Sequence, residues 1–430
     1  MDDPNVLERM RADWNERAGE DANYYVAFGR REQEEAEFFA TGADVVRGLE
    51  MDLPRLAGRD AALEIGCGPG RLMRPLGRHF REIHGVDVSD GMIELARERL
   101  RGTPNAFPHH TSGADLRRFP DGKFDFVYSY AVFQHIPSGD VVFQYLREAR
   151  RVLKDGGILR CQINGLPPTA KHYDTWAGVR IAPDEITRFA LEQDFQLLAL
   201  EMPHTQYMWV TCRKRPTGWV RSLAGRRVEP TAVVRSVSNA HTGEAVAPAS
   251  GPLAALSLCV KGLPDECDLN HMSVALDGRA GRPEYIGVPA YDGVQQVNVW
   301  LPEVIRTGIV PVEMVWLGQP ICPPAWVRII PPGPAVARFE TVTDGVNLLL
   351  HQRTESGLLK VTMMEVPREE LFRATVDGKP VREKDCFCTD PILRRFEFNF
   401  RMPEGTGPGA HVLRLAMGKR EFPPMGIEVA

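Results

Sequence analysis

Ala61-Ala62-Leu63-Glu64-Ile65-Gly66-Cys67-Gly68-Pro69-Gly70-Arg71-Leu72 decides the fold of this chain. The apolar run 61–65 reads as a buried strand, the three glycines as a sharp turn, and Arg71-Leu72 as the opening of a helical pattern. A strand that turns through glycines into a helix presents bare backbone amides and a helix N-terminus. That suits a polar, nucleotide-like ligand. Glu64, just before the first glycine, narrows the choice. Its carboxylate repels a pyrophosphate but can hold the amino group of an amino-acid moiety. The spacing G-x-G-x-G also departs from the G-x-G-x-x-G of dinucleotide folds.

Outward from this loop, residues 1 to about 215 alternate helical and strand patterns, which implies a mostly parallel α/β sheet. Val6, Met10, Trp14 and Ala18 recur every fourth residue on an N-terminal helix. Apolar strands are expected at 61–65, 82–87, 124–129, 157–163, 195–201 and 207–212. Ser89 is placed to cap one helix and Ser138 another, the latter expected to stop at Lys154-Asp155-Gly156-Gly157. The segment Met202 to Tyr207 between the last two strands is shorter than the dozen or so residues of a parallel crossover, so that pair is antiparallel.

Beyond Arg215 the texture changes. Arg213, Lys214, Arg215, Arg221, Arg226 and Arg227 form a basic connector that reads as a solvated linker. It lacks the interleaved aromatics of a nucleic-acid surface, apart from Trp219. From about 229 onward short alternating strands with Pro and Gly turns, such as Val297-x-Val299-x-Leu301 and Phe396-x-Phe398-x-Phe400, read as all-β and sandwich-like. They also repeat. Asp277-Gly278 recurs as Asp377-Gly378, Leu301-Pro302-Glu303 as Met402-Pro403-Glu404, Leu317-Gly318 as Met417-Gly418, and Pro323-Pro324 as Pro423-Pro424. This periodicity divides the remainder into two tandem modules of immunoglobulin size, 229–332 and 333–430, after a first domain at 1–220.

Composition is that of a soluble globular protein, with 43% hydrophobic and 25% charged residues. The net charge of −5 argues against a polyanionic partner, so no nucleic acid is expected. Eight cysteines stand singly except for Cys386-x-Cys388, which lacks a second metal-spaced pair, so no metal is expected. Met1-Asp2-Asp3-Pro4 is acidic and no apolar segment follows. Neither a signal peptide nor a membrane span is expected, and a cytoplasmic protein with reduced thiols is the default reading.

The chemistry-bearing residues lie at strand ends. Asp87, in Gly85-Val86-Asp87, can accept both hydroxyls of a ribose. Asp115, in Ser112-Gly113-Ala114-Asp115-Leu116, can accept from an adenine amino group. The run Phe124-Asp125-Phe126-Val127-Tyr128-Ser129-Tyr130-Ala131-Val132-Phe133-Gln134-His135-Ile136-Pro137 is a buried strand and the loop after it. Together with the glycine loop and the Leu-Lys-Asp-Gly-Gly turn, these residues resemble the core of a class I S-adenosylmethionine (SAM)-dependent methyltransferase of the small-molecule type, over 60–165.

The resemblance implies a Rossmann-like domain, with a mostly parallel seven-stranded sheet and an antiparallel last strand, followed here by the tandem β-sandwiches. It implies SAM as cofactor and S-adenosylhomocysteine as product. Glu64, Gly66 and Gly68 would hold the methionine moiety, Asp87 the ribose, Met92 would pack on adenine, and Asp115-Leu116 would bond its edge, with Cys67, Gly70 and Val88 also lining the cofactor. Ser129 would lie near the methionine chain, and Arg17 or Tyr24, in an N-terminal lid, would reach the cofactor carboxylate. His135 is a candidate general base or a loop-orienting imidazole. Tyr130 is a candidate catalytic residue and, with Phe133, Gln134, Gln162 and Asn164, a candidate for the acceptor pocket by position. Methylation of a nucleic-acid base amine is disfavoured, because Ser129-Tyr130-Ala131-Val132 replaces the Asn/Asp-Pro-Pro-aromatic run. The expected activity is methyl transfer to a small metabolite or sugar-like acceptor, on O, N or C. The rival is a non-catalytic SAM-binding scaffold whose β modules, also candidates for an oligomer interface, bind a protein or glycan. The first module loosely resembles TIG-type domains.

Overall fold

A computed structural model describes residues 5–27, 31–169, 173–333, 336–390 and 393–430. The acidic start at 1–4 lies outside the described residues. The chain divides into two compact units, one of residues 1–22 and 39–332, the other of residues 23–38 and 333–430.

In the first unit, β1 (Ala61–Ile65), β2 (Glu82–Asp87), β3 (Ala106–His110), β4 (Phe124–Ser129), β5 (Leu153–Ile163), β6 (Phe195–Glu201) and β7 (Met208–Lys214) lie side by side in the order 3-2-1-4-5-7-6. β1 pairs in parallel with β2 and β4, while β7 runs antiparallel to both β5 and β6. Helices α3 (Ala43–Glu50), α4 (Met73–Leu76), α5 (Asp90–Arg99), α6 (Gly139–Val152) and α7 (Pro183–Glu192) connect or flank these strands; α1 (Val6–Ala27) begins in this unit, and the end of α1 and most of α2 (Glu35–Ala40) belong to the other. Apolar side chains close both faces of the sheet. Leu63, Val127, Leu146 and Leu159 belong to one core, and Ala62, Phe126, Ile158 and Leu76 to the other.

Local expectations held unevenly. Ser89 caps α5, its Oγ accepting from Met92 N at 3.1 Å. Ser138 makes no side-chain cap, and α6 passes directly into β5 at Leu153 rather than ending on the glycines. The helix after the glycine loop is a single turn, Met73–Leu76, which then tightens into a 3₁₀ turn. β3 was not expected. It contains Pro108 and is hydrogen-bonded only to β2, and an edge strand is where a proline can sit in a sheet.

The chain does not separate at the basic connector. After a short α8 (Trp219–Ser222) come β8 (Val233–Asn239), β9 (Val246–Pro248), β10 (Ala255–Lys261), β11 (Met272–Leu276), β12 (Arg279–Ile286), β13 (Val294–Trp300), β14 (Gly308–Trp316), β15 (Gln319–Pro320) and β16 (Ala325–Ile330). β12 pairs with β6 through Tyr285 and Ala199, so the α/β sheet continues into the all-β segment. The connector is docked at 213–215, while Arg221, Arg226 and Arg227 are exposed. Arg213 and Arg215 pair with Asp265 at 3.0 and 2.7 Å, Arg226 with Glu266, and Lys214 Nζ donates to Leu153 O at 2.7 Å. Arg55, with a side chain 2% exposed, pairs with Asp52 at 2.7 Å and donates to Ile286 O at 2.7 Å.

The second unit carries β17 (Arg338–Asp344), β18 (Arg353–Thr354), β19 (Leu358–Met364), β20 (Phe372–Val376), β21 (Lys379–Pro380), β22 (Arg382–Asp390), β23 (Arg395–Arg401), β24 (Gly409–Met417), β25 (Arg420–Glu421) and β26 (Met425–Val429). They form a four-stranded and a six-stranded sheet around Val361, Phe372, Phe398, Phe400 and Leu413. They follow the order of the preceding all-β segment, with β21 and β22 together in the place of β12. β11 and β20 both run into an Asp-Gly turn whose residues have positive φ, 52° and 73° at 277–278 and 50° and 80° at 377–378. The parallel pair β9–β16 has its counterpart in β18–β26.

Candidate functional site

β1, β2 and β4 end together, and the glycine loop is folded back across their ends. Its φ values are positive at Gly66 (75°), Gly68 (50°) and Gly70 (86°), a backbone open to glycine and strained for other residues. A Cβ on Gly66 would lie 2.3 Å from Val132, and one on Gly70 2.7 Å from Leu100. The amides are not bare, as the sequence suggested. Gly66 N and Cys67 N both donate to Val86 O, Gly70 N donates to Cys67 O, and Gly68 N donates to Asp87 Oδ2 at 2.9 Å. The loop therefore offers a fixed shape rather than a row of donors. Its one-turn helix brings no long dipole to bear on an anion. Burial pushes the Cys67 thiol well above its ordinary pKa, so it stays protonated and apolar.

Two carboxylates flank the loop. Asp87 receives Gly68 N on one oxygen and Ser89 N on the other, each at 2.9 Å. A carboxylate has about four acceptor positions, so two remain for a pair of hydroxyls. Val88, next to it, packs against Gly113. Glu64 is 3% exposed and receives the Tyr128 hydroxyl at 2.9 Å. Burial raises its pKa to about 8, against the lowering pull of that hydrogen bond and of Arg71. Tyr128 escaped sequence reading because only the register, Glu64 opposite Tyr128, brings the two together. Ser129, fully buried, donates to Ile65 O at 2.9 Å and fixes β4 to β1. Met92, 1% exposed, lies in the first turn of α5.

Other expected contacts are already spent inside the protein. Asp115 accepts from Ser112 Oγ at 2.8 Å and Arg117 N at 3.1 Å, which ties its carboxylate to its own turn. Leu116 N donates to Glu148 Oε2 at 2.9 Å, and Arg151 holds that glutamate. Arg17 donates to Thr175 O and Thr175 Oγ1 at 3.1 and 3.0 Å, with its guanidinium over Trp14 and Trp176. These contacts clasp α1 to the loop after β5. Tyr24 lies in the other compact unit, edge-on to Tyr25 at 5.2 Å.

His135, 7% exposed, stands edge-on to Trp14 with ring centroids 5.6 Å apart. Its Nδ1 donates to Trp176 O at 3.0 Å, which leaves the lone pair on Nε2. Burial lowers its pKa to about 4. Gly178 N donates to Gln134 O and Val179 N to Ile136 O, so the Gln-His-Ile segment and 176–179 are laced together. The Thr175-Trp176 loop carries no periodicity in the sequence, and nothing there announces its place over His135.

On the opposite face of the sheet, Tyr130 lies nearly parallel to Trp209 with centroids 5.8 Å apart. Gln162 sits across from Trp209 in the β5–β7 register. Phe133 is core, packed toward Tyr145, and Asn164 Oδ1 accepts from Leu166 N.

Residues 63–161 match a family model described as a methyltransferase domain. That match makes SAM the cofactor of this site. Among curated proteins, the chain is 34% identical over 107 residues to trans-aconitate 2-methyltransferase of Rhizobium rhizogenes (strain K84 / ATCC BAA-868), covering 24% of this chain and 38% of that protein. It is 29% identical over 115 residues to the ubiquinone biosynthesis O-methyltransferase of Ruegeria sp. (strain TM1040), covering 27% and 44%. The chain thus spans less than half the length of either relative. Among solved structures, a DhpI–SAH complex aligns with half of this chain and all of its own at 19% identity and a TM-score of 0.38.

Proposed function

We propose that this protein is a SAM-dependent methyltransferase acting on a small molecule, at O, N or C. The observation that carries the reading is Asp87, pinned by Gly68 N and Ser89 N at the end of β2 with two acceptor positions to spare. The methyltransferase-domain match over 63–161 supports it. When bound, SAM supplies a methyl group already activated on a sulfonium, so the protein's work is alignment and the handling of one proton.

In this reading Asp87, with Val88 beside it, accepts the ribose hydroxyls and Glu64 receives the amino group. Gly66, Cys67, Gly68 and Gly70 shape the wall, and Ser129 keeps β4 in place beneath it. Met92 and the Asp115-Leu116 turn are assigned to the adenine side, where Glu148 must release the Leu116 amide. Tyr130 stands on the acceptor side. His135 acts as a positioning residue for the 175–179 loop, because a buried imidazole with a pKa of about 4 is a weak base at neutral pH. The small-molecule methyltransferases among the relatives support a small acceptor. We assign residues 1–220 to the methyltransferase domain, and 229–332 and 333–430 to immunoglobulin-like modules that serve as scaffold and oligomer interface. We place the protein in the cytoplasm; among the described residues, no helix is long and apolar enough to cross a membrane.

Calorimetric titration with S-adenosylhomocysteine tests the reading. Binding is expected, with a loss of at least ~10-fold in Asp87→Ala, which removes hydrogen bonds to a charged acceptor. An unchanged isotherm in that variant, or no binding at millimolar ligand, would sink it.

A further inference from the structure

Gln162 is one of three residues around the site, with Gln134 and Arg160, that keep a buried polar atom without a hydrogen-bond partner among the described residues. It is 4% exposed, near the carboxyl end of β5, and its Oε1 is buried with no hydrogen-bond partner among the described residues. A buried amide oxygen without a donor is costly, so such atoms in a folded protein call for an explanation. Its surroundings supply one. Ser129 pairs with Cys161, which puts Tyr130 beside Gln162, and Trp209 faces Gln162 from β7. Tyr130 and Trp209 are themselves nearly parallel, 19° between planes, and both are half-buried. Arg160, two residues earlier on the same face, lies over the Trp209 ring at 4.5 Å and donates through one terminal nitrogen to Glu201 and Thr211, while its Nε is buried with no hydrogen-bond partner among the described residues. Two aromatic rings and one unpartnered amide oxygen thus meet at the sheet edge where Ser129 and the glycine loop end.

We propose that this corner holds the methyl acceptor, and that the acceptor carries a hydroxyl or amine whose hydrogen is received by Gln162 Oε1, with a flat apolar body against Tyr130 and Trp209. The proposal rests on the methyltransferase reading above and names the substrate class for the same site. Phenol-like and arylamine-like acceptors fit. A site built to bond a substrate hydroxyl rejects the analogue without it by as much as ~10⁴-fold, so Gln162 is a specificity determinant.

Two measurements test this. Gln162→Met keeps the unbranched shape and removes the unpaired amide. Thermal unfolding is expected to move up by a few degrees, because no native hydrogen bond is lost. A fall in melting temperature means the amide has an internal partner and overturns the proposal without reference to any ligand. In the second, protein labelled with 5-fluorotryptophan is loaded with S-adenosylhomocysteine and titrated with phenol, anisole and benzoate. The Trp209 resonance is assigned by its loss in Trp209→Phe. Phenol is expected to shift that resonance at least tenfold more strongly than anisole or benzoate, and to lose that advantage in Gln162→Met. Equal responses to the three probes, no response to phenol, or an undiminished response in the variant each overturn it. Failure of S-adenosylhomocysteine to bind would instead strike the methyltransferase reading, while the melting result would stand.

Discussion

At the scale of single residues, the site is governed by what burial does to charge. Glu64 is protonated at neutral pH, since its pKa is raised to about 8. To pair with a cationic amino group it must give up that proton. S-adenosylhomocysteine binding at pH 7 is therefore expected to release close to one proton, read as a dependence of the calorimetric enthalpy on the buffer's ionisation enthalpy. Glu64→Gln removes the dependence, and affinity in the parent protein rises as pH is taken from 7 to 9. Buffer-independent enthalpies would show that Glu64 does not change state. His135 makes the opposite case. Its pKa lies near 4, so turnover should show no limb around pH 6.5 belonging to it. His135→Gln should mainly raise KM through a loosened 175–179 loop, with kcat held within ~10-fold. A collapse of kcat at saturating substrate would restore the general-base role.

At the scale of elements, two buried polar arrangements set how segments respond to acid. On β2 and β3, His84 Nδ1 faces His109 Nε2 at 3.0 Å, with Glu82 on the other side of His84 and Lys123, Arg118 and Arg97 nearby. Such a pair shares one hydrogen, and protonating both rings breaks it. Burial holds the His109 pKa near 4, below its unfolded 6.5. Its contribution is present above about pH 6.5 and is lost as pH falls toward 4. The unfolding free energy of the first unit should decline over that window, less steeply in His109→Gln. In the second unit Asp344 is fully buried and accepts from Val346 N, Asn347 N, Thr354 Oγ1, Glu355 N and both donors of Ser356. Those donors pull its pKa to about 2, so its support persists above 3.8 and fades only below it. Asp344→Asn is expected to cost ~2 kcal/mol or more by denaturant unfolding. Asn239, ending β8 as Asp344 ends β17, does the same work for the preceding segment by accepting from His241 N and Thr242 N. The alternation of apolar residues and the Asp-Gly pairs made such elements legible. Register was not legible, because the partners of Glu64, Gln162 and His84 come from strands far along the chain. β3 was invisible because Pro108 and two histidines obscure an edge strand.

At the scale of the whole molecule, the unexpected feature is the seam between β6 and β12. A basic run of this kind reads as a linker when charge alone is counted, since the acids that neutralise it, Asp265 and Glu266, lie some 40 to 50 positions further on. Removing 229–430 takes away those acids, the Ile286 carbonyl that receives Arg55, and the strand that covers β6. The truncated chain is expected to be insoluble or to bind S-adenosylhomocysteine weakly. Arg55→Met leaves Asp52 without its closest cation and should cost ~3 kcal/mol in the full chain. The bond from Arg55 to Ile286 spans 231 positions. On the ribosome, the sheet that carries the glycine loop is complete long before that carbonyl emerges. Its outer strand must wait as an unpaired edge, open to wrong partners. The seam thus closes only well after the α/β sheet itself has formed, and chaperone dependence should concentrate in that interval.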